Sequence, residues 1–179
     1  LLTTILQRWG LSVTFVDARE ANAVARAIRE DTRLVYVESP SNPTLRLVDL
    51  EAVAQLAHDR NVLVAIDNTF ASPINPQVLD LGADIAVHSA TKYLGGHSDL
   101  TGGALMGPKE LIEPVGPWRK NLGQMMAPEV AALLSRSLRT LPIRVERQNK
   151  TAQDVAEAMR NHPKVARVLY PGLRDFPQH

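Results

Sequence analysis

The sequence contains no cysteine. Disulfides and thiol nucleophiles are therefore excluded, and the composition suits a reducing, cytoplasmic setting. Aromatic residues make up only 4%, too few for a base-stacking surface. The formal net charge is +1, so nothing in the charge balance points to nucleic acid or a membrane surface as a partner. No apolar run approaches the roughly 18 residues that span a bilayer. A Gly-x-Ser-x-Gly elbow, a P-loop and a dinucleotide fingerprint are also lacking. What is present is 179 residues, 45% hydrophobic and 22% charged, an ordinary balance for a soluble domain with a sizeable core. The chain opens on Leu1 rather than methionine, and nothing around Asp175–His179 looks like a closing element. It reads as a piece of a longer protein.

The pattern of apolar residues predicts an alternation of helices and strands. Ile5 to Trp9, followed by Gly10, reads as the end of a helix with its C-terminal glycine. Leu11 to Val16 reads as a strand and Ala21 to Arg29 as a helix. Leu34 to Val37 is the next strand. Both prolines of Glu38-Ser39-Pro40-Ser41-Asn42-Pro43-Thr44 force a loop after it. Asp49 is placed to cap a helix whose apolar face is Leu50, Val53, Leu56 and Ala57. Val62 to Ile66 is a continuous apolar run, as expected of a strand buried on both faces. Ile85 to Val87 is a further short strand. Later come a helix over Ala127–Leu138 and a second, capped by Thr140, reaching about Met159. Val165 to Leu169 reads as a strand before the turn Tyr170-Pro171-Gly172. Such alternation predicts an α/β fold, a mostly parallel sheet flanked by helices. In these sheets ligands bind beyond the carboxyl ends of the strands.

Chemistry-bearing residues fall at those ends. Lys92 follows the strand at Ile85–Val87, with Ser89 and Thr91 beside it. A lysine that forms a Schiff base must lose its proton, which calls for partial burial or nearby positive charge. Hydroxyls at alternate positions can donate to a phosphate, although turns use such hydroxyls too. Asp67 ends the apolar run Val62–Ile66. Standing alone it reads as a turn or capping aspartate, yet a carboxylate after a buried strand needs a partner, and a protonated pyridine nitrogen would serve. Asn42, in the proline-stiffened loop, is a turn asparagine or a hydrogen-bonding group for a ring oxygen or a substrate carboxylate. His88 and His97 flank Lys92, but they lie nine residues apart with no third ligand at metal spacing, so no metal site is expected. His58 and His162 read as helix-end or surface residues.

Three segments together resemble a known family. Val37-Glu38-Ser39-Pro40-Ser41-Asn42-Pro43-Thr44, Ile66-Asp67-Asn68-Thr69-Phe70-Ala71-Ser72-Pro73 and His88-Ser89-Ala90-Thr91-Lys92-Tyr93-Leu94-Gly95-Gly96-His97-Ser98-Asp99 are similar to the signature segments of the cysteine and methionine metabolism enzymes that depend on pyridoxal phosphate. The likeness continues through Arg139-Thr140-Leu141 to Tyr170-Pro171-Gly172-Leu173. It implies the large-domain core of the aspartate aminotransferase-like architecture, known as PLP fold type I. It also implies roles. Lys92 matches the lysine that carries the cofactor as a Schiff base and then moves protons. Asp67 matches the partner of the pyridine nitrogen, Ser89 and Thr91 match phosphate ligands, and Asn42 matches a residue near the ring hydroxyl and the substrate carboxylate.

The implied activity is γ-elimination or γ-replacement on a sulfur-containing amino acid or an activated homoserine, as in cystathionine γ-synthase or γ-lyase. A cystathionine β-lyase or an O-acetylhomoserine sulfhydrylase is the alternative within enzymes, and an inactive fragment or binding-only relative is the alternative outside them. The implied partners are a small amino-acid substrate and, for the parent protein, further copies in a homotetramer built as a dimer of dimers. Residues 1–140 are expected to form part of the cofactor-binding large domain. Residues 141–179 are expected to form a linking helix and the start of a smaller domain. Ser137 stands where the family commonly has glycine, and Thr151 where it commonly has asparagine.

Overall fold

The structure is a computed structural model that describes residues 3–178. Its centre is a four-stranded sheet in the order β1-β2-β3-β4. The strands are β1 (Leu34–Glu38), β2 (Leu63–Asp67), β3 (Ile85–Ser89) and β4 (Gly103–Met106). The first three run parallel, with Glu38 level with Asp67 and Asp67 level with Val87. Strand β4 returns antiparallel beside β3. The mostly parallel α/β sheet expected from the alternation is therefore present, with an antiparallel edge strand that the short Gly103-Ala104-Leu105-Met106 run did not announce.

Two helices, α1 (Ala21–Ala27) and α2 (Leu50–His58), pack on one face of the sheet. Helix α2 begins where expected: the Asp49 carboxylate accepts from the Ala52 N–H at 3.0 Å, satisfying one of the helix's unpaired donors. Its Leu50, Val53, Ala54 and Ala57 meet Val35 and Val37 of β1, Val64 and Ile66 of β2, and Ala86 of β3. Val64 and Ile66 are fully buried, and burying a side chain of that size contributes about 1.5–3 kcal/mol. The opposite face differs from the two-sided burial expected of the apolar runs. Leu34, Tyr36, Leu63 and Leu105 remain 47%, 51%, 37% and 42% exposed there.

After β4 come two short helices, α3 (Lys109–Ile112) and α4 (Val115–Asn121), then α5 (Pro128–Leu138) and the long α6 (Leu141–Arg160). Proline stands in the first turn of both long helices, where its missing N–H costs nothing. Thr140 precedes α6 but does not cap it. Its hydroxyl instead donates to the Ser137 carbonyl at 3.1 Å. Leu141 and Val145, at the start of α6, pack against Ala90 and Leu94 in a second small core beside the sheet's carboxyl edge.

Two expected strands are not strands. Leu11–Val16 joins no ladder among the described residues, and Phe15 is 74% exposed. The segment is tethered through side chains instead: Arg29 donates to Thr14 Oγ1 and Ser12 Oγ, each at 3.0 Å. Val165–Leu169 likewise finds no neighbour strand among the described residues. In both segments the apolar pattern is right, but a strand requires an edge to pair with. The expected helix end near Ile5–Trp9 is a single 3-10 turn, Leu6–Trp9, closed by Gly10 at φ +87°. No helix among the described residues is long and apolar enough to cross a membrane.

Candidate active site

The parallel register brings three strand-terminal residues, Glu38, Asp67 and Ser89, to one edge of the sheet. The chain leaving β3 turns at once into a single π-turn, Ala90–Leu94, with Lys92 at its middle. Lys92 departs from helical geometry, at φ −89° and ψ −120°. The glycine pair closes the turn: the Gly95 N–H donates to the Ala90 carbonyl at 2.8 Å and the Gly96 N–H to the Lys92 carbonyl at 2.7 Å.

Together these elements line an open cleft of about 670 Å³. All five residues singled out in the sequence, Asn42, Asp67, Ser89, Thr91 and Lys92, face it. A second hollow of about 280 Å³, beside Arg160, Asp175 and Phe176, contains none of them. The chemistry-bearing residues therefore gather in one cleft at the carboxyl edge.

The Asp67 carboxylate is held at both oxygens. Tyr36 donates its hydroxyl to Oδ2 at 3.0 Å, and the Thr69 N–H donates to Oδ1 at 3.0 Å. Loss of solvent and the neighbouring Asp67 charge push the Tyr36 phenol up to about 12. Burial, then the Asp67 charge, raises Glu38 above the ordinary carboxylate range, while the Asn42 backbone N–H works against the rise. Thr69 also ties two strand ends together, its hydroxyl accepting from the Ser89 N–H at 2.8 Å. Asn68 is buried and donates to the carbonyls of Ser72 and Pro76, each at 3.0 Å. Its Oδ1 has no partner among the described residues.

Two expectations change. Lys92 is exposed rather than partly buried, because the π-turn lifts it clear of the strand end. The Thr91 hydroxyl is engaged with the backbone of Gly102, accepting from its N–H at 3.1 Å and donating to its carbonyl at 3.4 Å. The cleft therefore offers an accessible primary amine, a carboxylate fixed at both oxygens, a second carboxylate and the Ser89 hydroxyl. Amines of that kind attack carbonyl groups, and a fixed carboxylate accepts from a cationic ring N–H.

Several residues that line the cleft or hold its groups went unnoticed in the sequence. Glu38 ends an apolar run just as Asp67 does, so the same reasoning would have found it. Tyr36 follows from strand alternation, which puts it on the face of Glu38. Gln148 reaches the cleft from α6, and no local signal marks it. His97 Nδ1 lies 2.7 Å from the Gly95 carbonyl and 3.3 Å from Ser137 Oγ. His58 pairs with Asp84 at 2.9 Å at the end of α2.

His88 is buried within β3, and that burial lowers its imidazole below its ordinary value, with Asp67 partly opposing. A depressed histidine means that the unfolded chain binds the proton more tightly. Its stability contribution is then complete above about pH 6.5 and is lost as the pH falls towards the folded-state value. Denaturant midpoints taken from about pH 7.5 down to about 5.5 should fall, and His88→Gln should flatten the slope. Equal slopes in the two proteins would refute the assignment.

Fold and cleft together define an α/β protein with an open, polar-lined cleft at the carboxyl edge of its sheet. Residues 1–179 match the family described as "Cys/Met metabolism PLP-dependent enzyme", and the chain belongs to that family. It is 43% identical over 179 residues to a chloroplastic cystathionine gamma-synthase of Nicotiana tabacum, covering 99% of this chain and 33% of that protein. It is 44% identical over 178 residues to a cystathionine beta-lyase of Bacillus subtilis, covering 99% and 46%. Its fold is similar to the crystal structure of a methionine gamma lyase from Micromonospora echinospora, with a TM-score of 0.95 at 40% identity, covering 99% of this chain and 49% of that one. The chain thus spans between a third and a half of the length of these relatives.

Proposed function

We propose that the chain contributes the cofactor-attachment part of a pyridoxal-phosphate enzyme that breaks or exchanges a bond at the γ-carbon of a sulfur-containing amino acid or an activated homoserine. One observation carries the reading. Lys92, Asp67 and Ser89 line a single cleft at the carboxyl edge of a chain belonging to this family. The donor set fits the cofactor: an accessible amine suits its aldehyde, the Asp67 carboxylate suits its ring nitrogen, and the Ser89 hydroxyl suits its phosphate.

When bound, pyridoxal phosphate supplies an aldehyde that condenses with primary amines and a ring that accepts electrons from the carbon bearing the amine. Lys92 Nζ is the group that would hold it, and the same amine, when free, would take a proton from the substrate carbon and return it further along the substrate. The Asp67 carboxylate, fixed by Tyr36 and the Thr69 N–H, would keep the ring nitrogen protonated. Ser89 would donate to the phosphate, and Thr91, on the cleft wall, would turn its hydroxyl proton from the Gly102 carbonyl to the same anion while still accepting from the Gly102 N–H. Asn42 offers its amide to the ring hydroxyl side or the substrate carboxylate. Residues 1–140 serve as part of the cofactor-binding domain, and residues 141–179 lead from it towards a second domain. The parent protein works as an assembly of several copies.

Identity supports β-chemistry about as well, since the Bacillus subtilis protein, at 44%, is a cystathionine beta-lyase. The test is product identity. Full-length protein given cystathionine should release 2-oxobutyrate, the four-carbon keto acid of γ-cleavage. Pyruvate alone would assign β-cleavage and overturn the γ reading.

A further inference from the structure

The turn that carries Lys92 is held from behind by one side chain. Arg144, half-buried near the start of α6, donates through Nη1 to the Tyr93 carbonyl at 2.9 Å. Through Nη2 it donates to the Ser137 carbonyl, in the last turn of α5, at 3.0 Å. Its Nε donates to Thr140 Oγ1 at 3.1 Å. One planar fork thus joins the residue after Lys92 to the corner between α5 and α6, which a single ammonium cannot reproduce. The chain beside the fork is shaped around it. Gly96 has φ +73°, and a Cβ added there would lie 2.0 Å from Arg144 Nη1. His97 makes a parallel tie, from the Gly95 carbonyl to Ser137 Oγ, so Ser137 takes part in the same junction through its side chain as well as its carbonyl.

We propose that Arg144 is a positioning residue for Lys92. By gripping the Tyr93 carbonyl it fixes the backbone at the break in the π-turn, and so the direction in which the lysine enters the cleft. Lys92 is long, exposed and without an ion-pair partner among the described residues; its aim therefore depends on its backbone. The inference rests on the reading of Lys92 as the attachment residue. A purely structural arginine, one that merely closes the end of α5, would affect unfolding and leave attachment alone.

The test uses full-length protein stripped of cofactor. Pyridoxal phosphate is added, and covalent attachment is followed by its visible absorbance and by borohydride trapping of the Lys92 peptide. Thermal unfolding is recorded beside it, and attachment is measured well below the unfolding range. Arg144→Ala and Arg144→Lys should both slow attachment by about tenfold or more, the scale of losing charge-assisted hydrogen bonds, and lysine should not rescue. Gly96→Ala should slow it too, and by less when added to Arg144→Ala than when added to the wild type, because the two groups share one contact. Arg147→Ala, an exposed arginine on the same helix, should change nothing. Wild-type attachment in Arg144→Lys would overturn the proposal, as would an Arg144→Ala protein that is less stable but attaches normally. Lys92→Ala is run alongside. If it still attaches cofactor, the reading of Lys92 has failed; if it does not, and the Arg144 variants behave as wild type, only the present inference has failed.

Discussion

Lys92→Ala is expected to give a folded protein that no longer attaches pyridoxal phosphate covalently. The side chain is exposed and lies beyond the packed core, so truncating it should change stability by no more than about 0.5 kcal/mol. The chemical loss is total by comparison, because the cleft lining contains no second lysine. Proton transfer by a positioned side chain is worth about 10²–10⁴-fold, and the variant loses that along with the attachment point. The measurement is the visible band on mixing with cofactor, followed by reduction and peptide mass. An unchanged band in the variant, or label on another lysine of the wild type, would sink the assignment. Arg144 sharpens the contrast. Lys92→Ala removes the amine, whereas Arg144→Lys leaves it in place but badly aimed, so the first should abolish attachment and the second should only slow it.

The sequence disclosed most of what depends on local pattern. Strands β1 to β3 are apolar runs ending in polar residues, and the Asp49 cap appears as read. Strand β4 was hidden because four residues, the first of them Gly103, flanked by Gly102 and Gly107 give no usable period. Helices α3 and α4 are short and separated by Pro114, with Pro117 inside the second. Leu11–Val16 and Val165–Leu169 failed for the opposite reason: composition can make a strand possible, but only a neighbouring edge makes it a strand. The site shows the same division. Asp67, Ser89 and Lys92 could be placed together because parallel strands share an edge. The grip of Arg144 on Tyr93 spans 51 residues and has no local trace. Nor does the exposure of Lys92, which depends on the π-turn replacing the buried strand end that the sequence suggested.

Asp67→Asn should separate holding the cofactor from using it. The exchange is nearly isosteric. The amide oxygen can still accept from the Thr69 N–H, and the amide N–H₂ can donate to the Tyr36 oxygen, so the local geometry should survive and cofactor should still attach at Lys92. What disappears is the negative charge. A neutral amide no longer favours a protonated ring nitrogen, and the ring's capacity to take up electrons falls with it. Removing one preorganised electrostatic partner of this kind costs on the order of 10²–10³ in turnover. The same charge is felt by two groups without any cofactor. Asp67 helps to push the Tyr36 phenol up to about 12 and adds to the rise at Glu38. In the cofactor-free variant both should titrate closer to their ordinary values, which phenolate absorbance in an alkaline titration would report for Tyr36. Lower turnover with a shifted Tyr36 and intact attachment would locate the loss in the charge of Asp67. Near-normal turnover with the same shift would mean that the ring nitrogen has another partner. An unshifted Tyr36 would mean that the hydrogen bond to Asp67, and not only its catalytic meaning, had been misread.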